Sequence, residues 1–354
     1  MRGRRGLFIV ALAAIGVTVL VLCLAAALSG PTHKAATVHV EPQVTFALPP
    51  ATVGCHGAIT ASYGGEKVPL TVSVVAGQVA ETADVCIDGQ GPYPFILDTG
   101  AGQSTIDAGL ADRLHLSRAG ADTEFAGVGC TGTARPVAVG AWSLDGIPLA
   151  AQQLTAATLP QMGGKGEPDG LLGSDVLSRF GGVRVDFDPG ALILPGPEGA
   201  PLDHPTPYVG PQGSPPAALM QGQSGTTVPL TVTPATGDVS LSVAVRFVRG
   251  PRREFVVDTG SSQSVVSSLV ARGLPLQSTD LAQRQSTVCS VITVPLVHSG
   301  PWSVPGLALH PQLIRSTDFG AITESGTQGL LGSDQLRRYG WVVLDYAGGQ
   351  MVLG

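Results

Sequence analysis

The chain has 354 residues, 44% hydrophobic and only 13% charged, so it can fill a sizeable core and is neither a charge-rich disordered chain nor a solvent-exposed coiled coil. A net charge of −6 leaves no basic footprint for a nucleic acid, and no nucleic-acid partner is expected. The 48 Gly and 28 Pro punctuate the chain often enough to disfavour long helices and to favour short strands and turns.

The first 30 residues read as a membrane segment. Arg2, Arg4 and Arg5 precede an uncharged run from Gly6 to Thr32, within which Leu7 to Ser29 is mostly Leu, Val, Ala and Ile. As a helix rising ~1.5 Å per residue, that stretch spans a ~30 Å hydrocarbon core. The basic flank keeps the N-terminus in the cytoplasm and sends the rest outside. An uncleaved single-pass anchor is expected, because the run exceeds the about 7–15 apolar residues of a signal peptide. Cleavage at Ala25-Ala26-Ala27, giving a secreted protein, is the alternative. Residues 31–65, with Pro31, Pro42, Pro49 and Pro50, read as an extracytoplasmic spacer whose end, around Cys55, packs on the globular part beyond residue 65. Beyond residue 30 there remain 17 basic and 26 acidic residues, so the outer part is acidic.

From residue 66 onward the chain repeats itself. Val68-Pro69-Leu70-Thr71-Val72 recurs as Val228-Pro229-Leu230-Thr231-Val232, at an offset of 160. Asp98-Thr99-Gly100 meets Asp258-Thr259-Gly260 at the same offset, as do Gln103-Ser104 and Gln263-Ser264, and Trp142-Ser143 and Trp302-Ser303. One residue closer, Gly170-Leu171-Leu172-Gly173-Ser174-Asp175 recurs as Gly329-Leu330-Leu331-Gly332-Ser333-Asp334. The period is far too long for a solenoid and implies two homologous lobes, 66–196 and 227–354. Between them, 197–226 is rich in Pro and Gly and reads as an irregular connector.

Each lobe reads as mostly strands. Val68 to Val75 and Val228 to Thr233 are rich in β-branched residues. Phe95-Ile96-Leu97 and Phe255-Val256-Val257 are apolar runs too brief for helices, each ending in Asp. Asp107 to Leu116 has Leu110, Ala111 and Leu114 at helical spacing behind an N-cap Asp, and Asp175 to Phe180 is similar, with Ser174 or Asp175 as cap. Trp142 and Trp302 are expected in the two cores, Asp186 and Asp345 in turns or ion pairs, and Asp175 and Asp334 as helix caps.

Of five cysteines, Cys23 sits in the apolar run and four, Cys55, Cys86, Cys130 and Cys289, lie in an oxidising compartment on this topology. Four cysteines allow three pairings. There is no C-x-x-C or H-E-x-x-H, and the seven His are scattered, so neither a metal nor another cofactor is expected.

The chemistry is carried by the two D-T-G copies. One alone is an ordinary turn after a strand. Two at equivalent places in a duplicated chain allow a pseudo-two-fold axis to bring Asp98 and Asp258 together. Carboxylates about 3 Å apart cannot both ionise, so they share one proton. The ionised one can act as general base on a water, while the protonated one polarises a carbonyl. Gly100 and Gly260 permit the close approach. Ser261 follows the second motif where Ala101 follows the first. Its hydroxyl is expected to donate to Asp258, lower its pKa and leave the proton on Asp98.

With these residues the sequence resembles the aspartic proteases of retropepsin-like and pepsin-like fold, in particular the single-chain bacterial type. The resemblance covers both lobes and rests on the apolar-apolar-Asp-Thr-Gly motifs and on Leu171-Leu172-Gly173 and Leu330-Leu331-Gly332, elements that in the family lie under the catalytic turns. It implies a mostly β, two-lobed fold with Thr99 and Thr259 bonded across the lobe boundary. It also implies flaps over the substrate, the first at Phe125 to Gly132 with Gly127, Val128 and Gly129 touching substrate. The flap Tyr of pepsins has no counterpart here, and lobe two offers Ser286 to Ile292 instead of a Gly-rich flap. Because flap tips approach each other in the family, and Cys130 and Cys289 occupy near-equivalent places in the repeat, a Cys130–Cys289 bridge is expected, leaving Cys55–Cys86 in lobe one. The function implied is a monomeric, membrane-anchored extracytoplasmic aspartic endopeptidase acting on exported or surface proteins and peptides. A catalytically silent peptide-binding or structural module of the same fold is the alternative.

Overall fold

The structure, a computed structural model, describes residues 55, 60–62, 65–75, 78–160, 167–196, 198–199, 206–207, 217–248, 250–274, 276–320, 322 and 326–354. The Leu7 to Ser29 run lies outside them, as do most of the spacer and much of the connector. Among the described residues no helix is long and apolar enough to cross a membrane.

Alternation and tight turns build the strands. Asp238–Phe247 buries every second residue, from Val239 to Phe247, as a strand with one face on a core does. Gln78–Ile87 and Gln90–Leu97 form a hairpin turned by Asp88-Gly89 at φ 49° and 73°, the left-handed pair that a two-residue hairpin requires.

Three sheets result among the described residues. One of ten strands belongs to lobe one and one of eleven to lobe two. A third, of seven strands, is shared: Val183–Asp186 of lobe one pairs antiparallel with Trp341–Asp345 of lobe two, placing Val183 opposite Leu344 and Asp186 opposite Trp341. The expected strand over Val68 to Val75 is in fact two. Gly65–Pro69 joins the shared sheet and Thr71–Val75 the lobe-one sheet, with Leu70 N–H donating to Gly190 O at 3.1 Å between them. Lobe two breaks alike into Thr226–Pro229 and Thr231–Ala235. Proline ends the first strand in both lobes because it has no N–H to continue a ladder. Thr60–Ser62 pairs with Gly65–Pro69, so lobe one begins ahead of residue 66. Within the connector, Thr206–Pro207 pairs with Thr231–Val232 and helix Ala217–Met220 buries Leu219 against Ile193 and Trp341, so this stretch is not wholly irregular.

Repeat-related residues hold equivalent posts. Trp142 and Trp302 are buried, and each Nε1 donates at 2.8 Å, to Ala150 O and His310 O respectively. Asp186 pairs with Arg184 at 2.6 Å, while Asp345 accepts from Gly348 N–H in a turn. Asp107 caps helix Ala108–Arg113 through Leu110 N–H.

Candidate active site

In each lobe the Asp-Thr-Gly turn is held by a strand threaded between its two limbs. Gly170–Leu172 runs parallel to Gln90–Leu97 and antiparallel to Thr105–Asp107. Gly329–Gly332 does the same between Arg252–Asp258 and Val265–Ser267. The Phe95 ring fills the space where a side chain at residue 170 would sit, and Phe255 fills it at 329, which explains the glycine that opens each Gly-Leu-Leu-Gly. Gly173 and Gly332 then start four-residue helices whose first N–H groups reach back: Ser174 N–H to Ala101 O at 2.8 Å, Ser333 N–H to Ser261 O at 2.9 Å.

The two turns meet face to face. A methyl on Gly100 would stand 2.7 Å from Asp258 Oδ2, and one on Gly260 would stand 2.7 Å from Asp98 Oδ1. Each carboxyl therefore lies against the other lobe's glycine, and the two are hydrogen-bonded to each other. Thr99 and Thr259 lock the pair. Each hydroxyl donates across the boundary at 2.7 Å, Thr99 to Val257 O and Thr259 to Leu97 O, and each accepts the other's main-chain N–H at 3.1 Å.

The dyad is not symmetric. Asp98 Oδ1 accepts N–H groups from Gly100 and Ala101, both at 3.0 Å, and Asp98 is half-buried. Asp258 is 8% exposed and its Oδ1 accepts Ser261 N–H at 2.8 Å. Burial raises both carboxyls, and Asp258, which also feels the negative charge of Asp98, is held well above the usual carboxylate range. Asp258 is thus the member held higher, opposite to the expectation from sequence. The reason is that the Ser261 hydroxyl turns away and donates to Gln263 O at 2.9 Å, so only the residue's main chain serves Asp258.

Beneath the turns lies a second tier of polar groups. Asp175 Oδ1 accepts from Ser104 N–H at 2.9 Å and Ser104 Oγ–H at 2.6 Å, and Ser104 Oγ accepts Gly173 N–H at 2.9 Å. Asp334, Ser264 and Gly332 repeat this at 2.9, 2.7 and 3.0 Å. Asp175 and Asp334 therefore tie strands to the turn rather than cap helices; the cap positions belong to Gly173 and Gly332. Ser174 Oγ donates to Thr99 O at 2.9 Å, and Ser333 Oγ to Ser261 O at 2.9 Å. Sequence reasoning gave Ser104, Ser264 and Ser333 no role and offered Ser174 only as a helix cap, although each sits inside a repeated motif.

Two hairpins supply the flaps. Thr123–Gly127 and Cys130–Val139 turn at Val128-Gly129, and Gln277–Ser286 and Val291–His298 turn at Thr287 to Ser290. Gly127, Val128 and Gly129 thus form the first tip. Val128 packs against the lobe-two cluster of Val256, Val265, Phe319 and Leu330, and Gly127 faces Val288 of the other tip. Cys130 and Cys289 join the tips as a disulfide, with Cα atoms 6.2 Å apart, and Cys55–Cys86 ties the preceding segment to lobe one at 5.8 Å. The flaps are symmetric in topology although their sequences differ.

The family model described as aspartyl protease matches residues 83–176 and 243–335, slightly more than half of the chain, in two segments that start one repeat apart. Among solved structures, the crystal structure of aspartic proteinase from Irpex lacteus covers 82% of this chain and 97% of that chain, with 14% identity and a TM-score of 0.47. No curated protein matches.

Proposed function

Because the chain belongs to the aspartyl protease family, we propose that it is an endopeptidase whose Asp98 and Asp258 activate a water against a peptide bond. The observation that carries this reading is the mutual approach of the two carboxyls over Gly100 and Gly260, pinned by the reciprocal Thr99–Thr259 bonds. In this reading Asp98 is the ionised member and takes a proton from the water as its oxygen attacks the carbonyl carbon. Asp258 donates its hydrogen bond to the carbonyl oxygen and stabilises the negative charge that develops there. The tetrahedral adduct collapses when a proton passes from the dyad to the leaving nitrogen. The second tier of Ser and Asp groups holds the turns so that this geometry exists before substrate arrives. Gly127, Val128 and Gly129 cover the substrate from the first flap.

We further propose that the enzyme acts outside the cytoplasm as a monomer, held to the membrane by Leu7 to Ser29, on exported or surface proteins. The basic residues before that run support the orientation, and the four bridged cysteines suit an oxidising compartment. Digestion of unfolded casein at several acidic pH values tests the activity. New peptide termini made by the full chain and not by Asp98→Asn support it; an undigested substrate across the range favours the silent peptide-binding module.

A further inference from the structure

Lobe two holds a buried cation for which the dyad has no use. Arg315, in strand Leu313–Thr317, is 1% exposed and leads the fully buried side chains in volume among the described residues. Its guanidinium makes no hydrogen bond or ion pair among the described residues, and Nε is enclosed without an acceptor. The carboxylate whose field it feels is Asp334, whose oxygens are taken by Ser264, Gln335 and Gln312. Burial pulls the Arg315 pKa down to about 10, so the group is still charged at neutral pH.

Register shows which face it occupies. Val256 pairs with Leu330, Leu330 with Val265, Val265 with Arg315, and Arg315 with Leu296, one row across five strands. Directly paired residues share a face, and Asp258 lies two residues beyond Val256 on that same face. Ile314, the neighbour of Arg315, points the other way into the core. Val128 of the flap tip packs against the cluster that Val256, Val265 and Leu330 of this row form with Phe319. Thr317, two residues beyond Arg315, has its Oγ1 3.5 Å from where a methyl on Gly129 would sit. Arg315 therefore belongs to the floor of the cleft beneath the flap. The same row in lobe one runs Ile96, Leu171, Thr105, Thr155, Pro136, so a neutral threonine stands where lobe two has the arginine. Thr155 spends its hydroxyl on Gln103 at 2.5 Å.

A charge in an apolar row with no hydrogen-bond partner opposes folding, because the field of Asp334 alone offsets its loss of water. Its natural complement is a carboxylate, which the guanidinium fork binds through two parallel hydrogen bonds. We infer that Arg315 is the specificity-determining residue of a subsite for an acidic side chain, Asp or Glu, of the peptide substrate. This rests on the peptidase reading for its substrate class. Arg315 lies three strand spacings, about 14 Å, from the strand that delivers Asp258, which puts the acidic residue within about four positions of the cut. When the flap lifts Val128 from the row, the substrate carboxylate reaches the guanidinium.

Binding tests this apart from hydrolysis. An unstructured Glu-rich peptide and its Gln counterpart are titrated into the full chain carrying Asp98→Asn, with and without Arg315→Met. The Glu peptide is expected to bind about tenfold tighter with Arg315 present and about equally to its counterpart with Arg315→Met. Without peptide, Arg315→Met is expected to raise the thermal midpoint, because an apolar side chain replaces an unpaired charge. No Glu preference, a preference that survives Arg315→Met, or a lowered midpoint overturns the inference. The readout does not need turnover, so a chain that cleaves nothing removes the peptidase reading without deciding this one.

Discussion

Thr99 and Thr259 are each other's two-fold counterparts across the lobe boundary: each hydroxyl accepts the other's N–H at 3.1 Å while donating at 2.7 Å to a carbonyl of the other lobe. Both are 1% exposed. Thr99→Val keeps the shape but strands Val257 O and Thr259 N–H without partners. Each orphan costs about 1–3 kcal/mol, so urea unfolding should show a loss of about 2–6 kcal/mol. Thr99→Ser, which retains the hydroxyl, should recover most of it. Equal stability of the Val and Ser variants would contradict the role given to the bond.

Stability should also fall as the solution becomes less acidic. Burial pushes Asp175 up to about 6, against Ser104 hydrogen bonds that lower it. A carboxyl raised in the folded state binds its proton more tightly there than in the unfolded chain. Its contribution is fully present below an unfolded pKa of about 4 and is lost as pH rises through about 6. The shift corresponds to stability on the order of 2–3 kcal/mol. Asp334, Glu81 and the dyad are raised as well and act in the same direction. Thermal midpoints measured between about pH 4 and 7 should decline, and Asp175→Asn should flatten the slope. A slope identical in that variant would assign the decline elsewhere.

The duplication made both Asp-Thr-Gly turns and the threaded Leu-Leu-Gly strands legible, because each is a local pattern seen twice. What escaped was what local pattern does not encode. Ser104 and Ser264 were visible as repeated letters, but their bonds to Asp175 and Asp334 span about seventy residues of sequence. Ser261 has a hydroxyl beside an Asp, and only the turn's geometry sends it to Gln263 O. Arg315 falls where the repeat has Thr155, so a search for matching residues passes over it.

Joined flap tips should resist opening. The Cys130–Cys289 bridge closes a loop of 159 residues, and removing it by Cys130→Ser with Cys289→Ser should cost about 3–5 kcal/mol. Beyond the global loss, amide hydrogen exchange should speed up selectively in residues 123–139 and 277–298, the two hairpins, because local opening no longer has to carry the partner along. Uniform acceleration over the whole chain would mean that the bridge stabilises without restraining the flaps.

The proposed placement of the proton on Asp258 bears on Ser261. With its hydroxyl on Gln263 O and only its N–H on the carboxylate, Ser261→Ala leaves the hydrogen bond to Asp258 intact. Both limbs of the pH–rate profile, which report the pair rather than either residue, should stay in place. A displaced acidic limb would restore the hydroxyl to the dyad.

In the proposed mechanism two carboxyls, one from each lobe, act as a unit on a single water. It is tested most directly by the kcat/KM of the full chain on an unfolded protein substrate, compared with Asp98→Asn and Asp258→Asn, each checked for native folding. Asparagine can neither accept the water's proton as Asp98 does nor supply the acidic hydrogen of Asp258. Each substitution is therefore expected to lower kcat/KM by about a thousandfold or more. Retention of most of the unmutated rate by either variant would contradict the account.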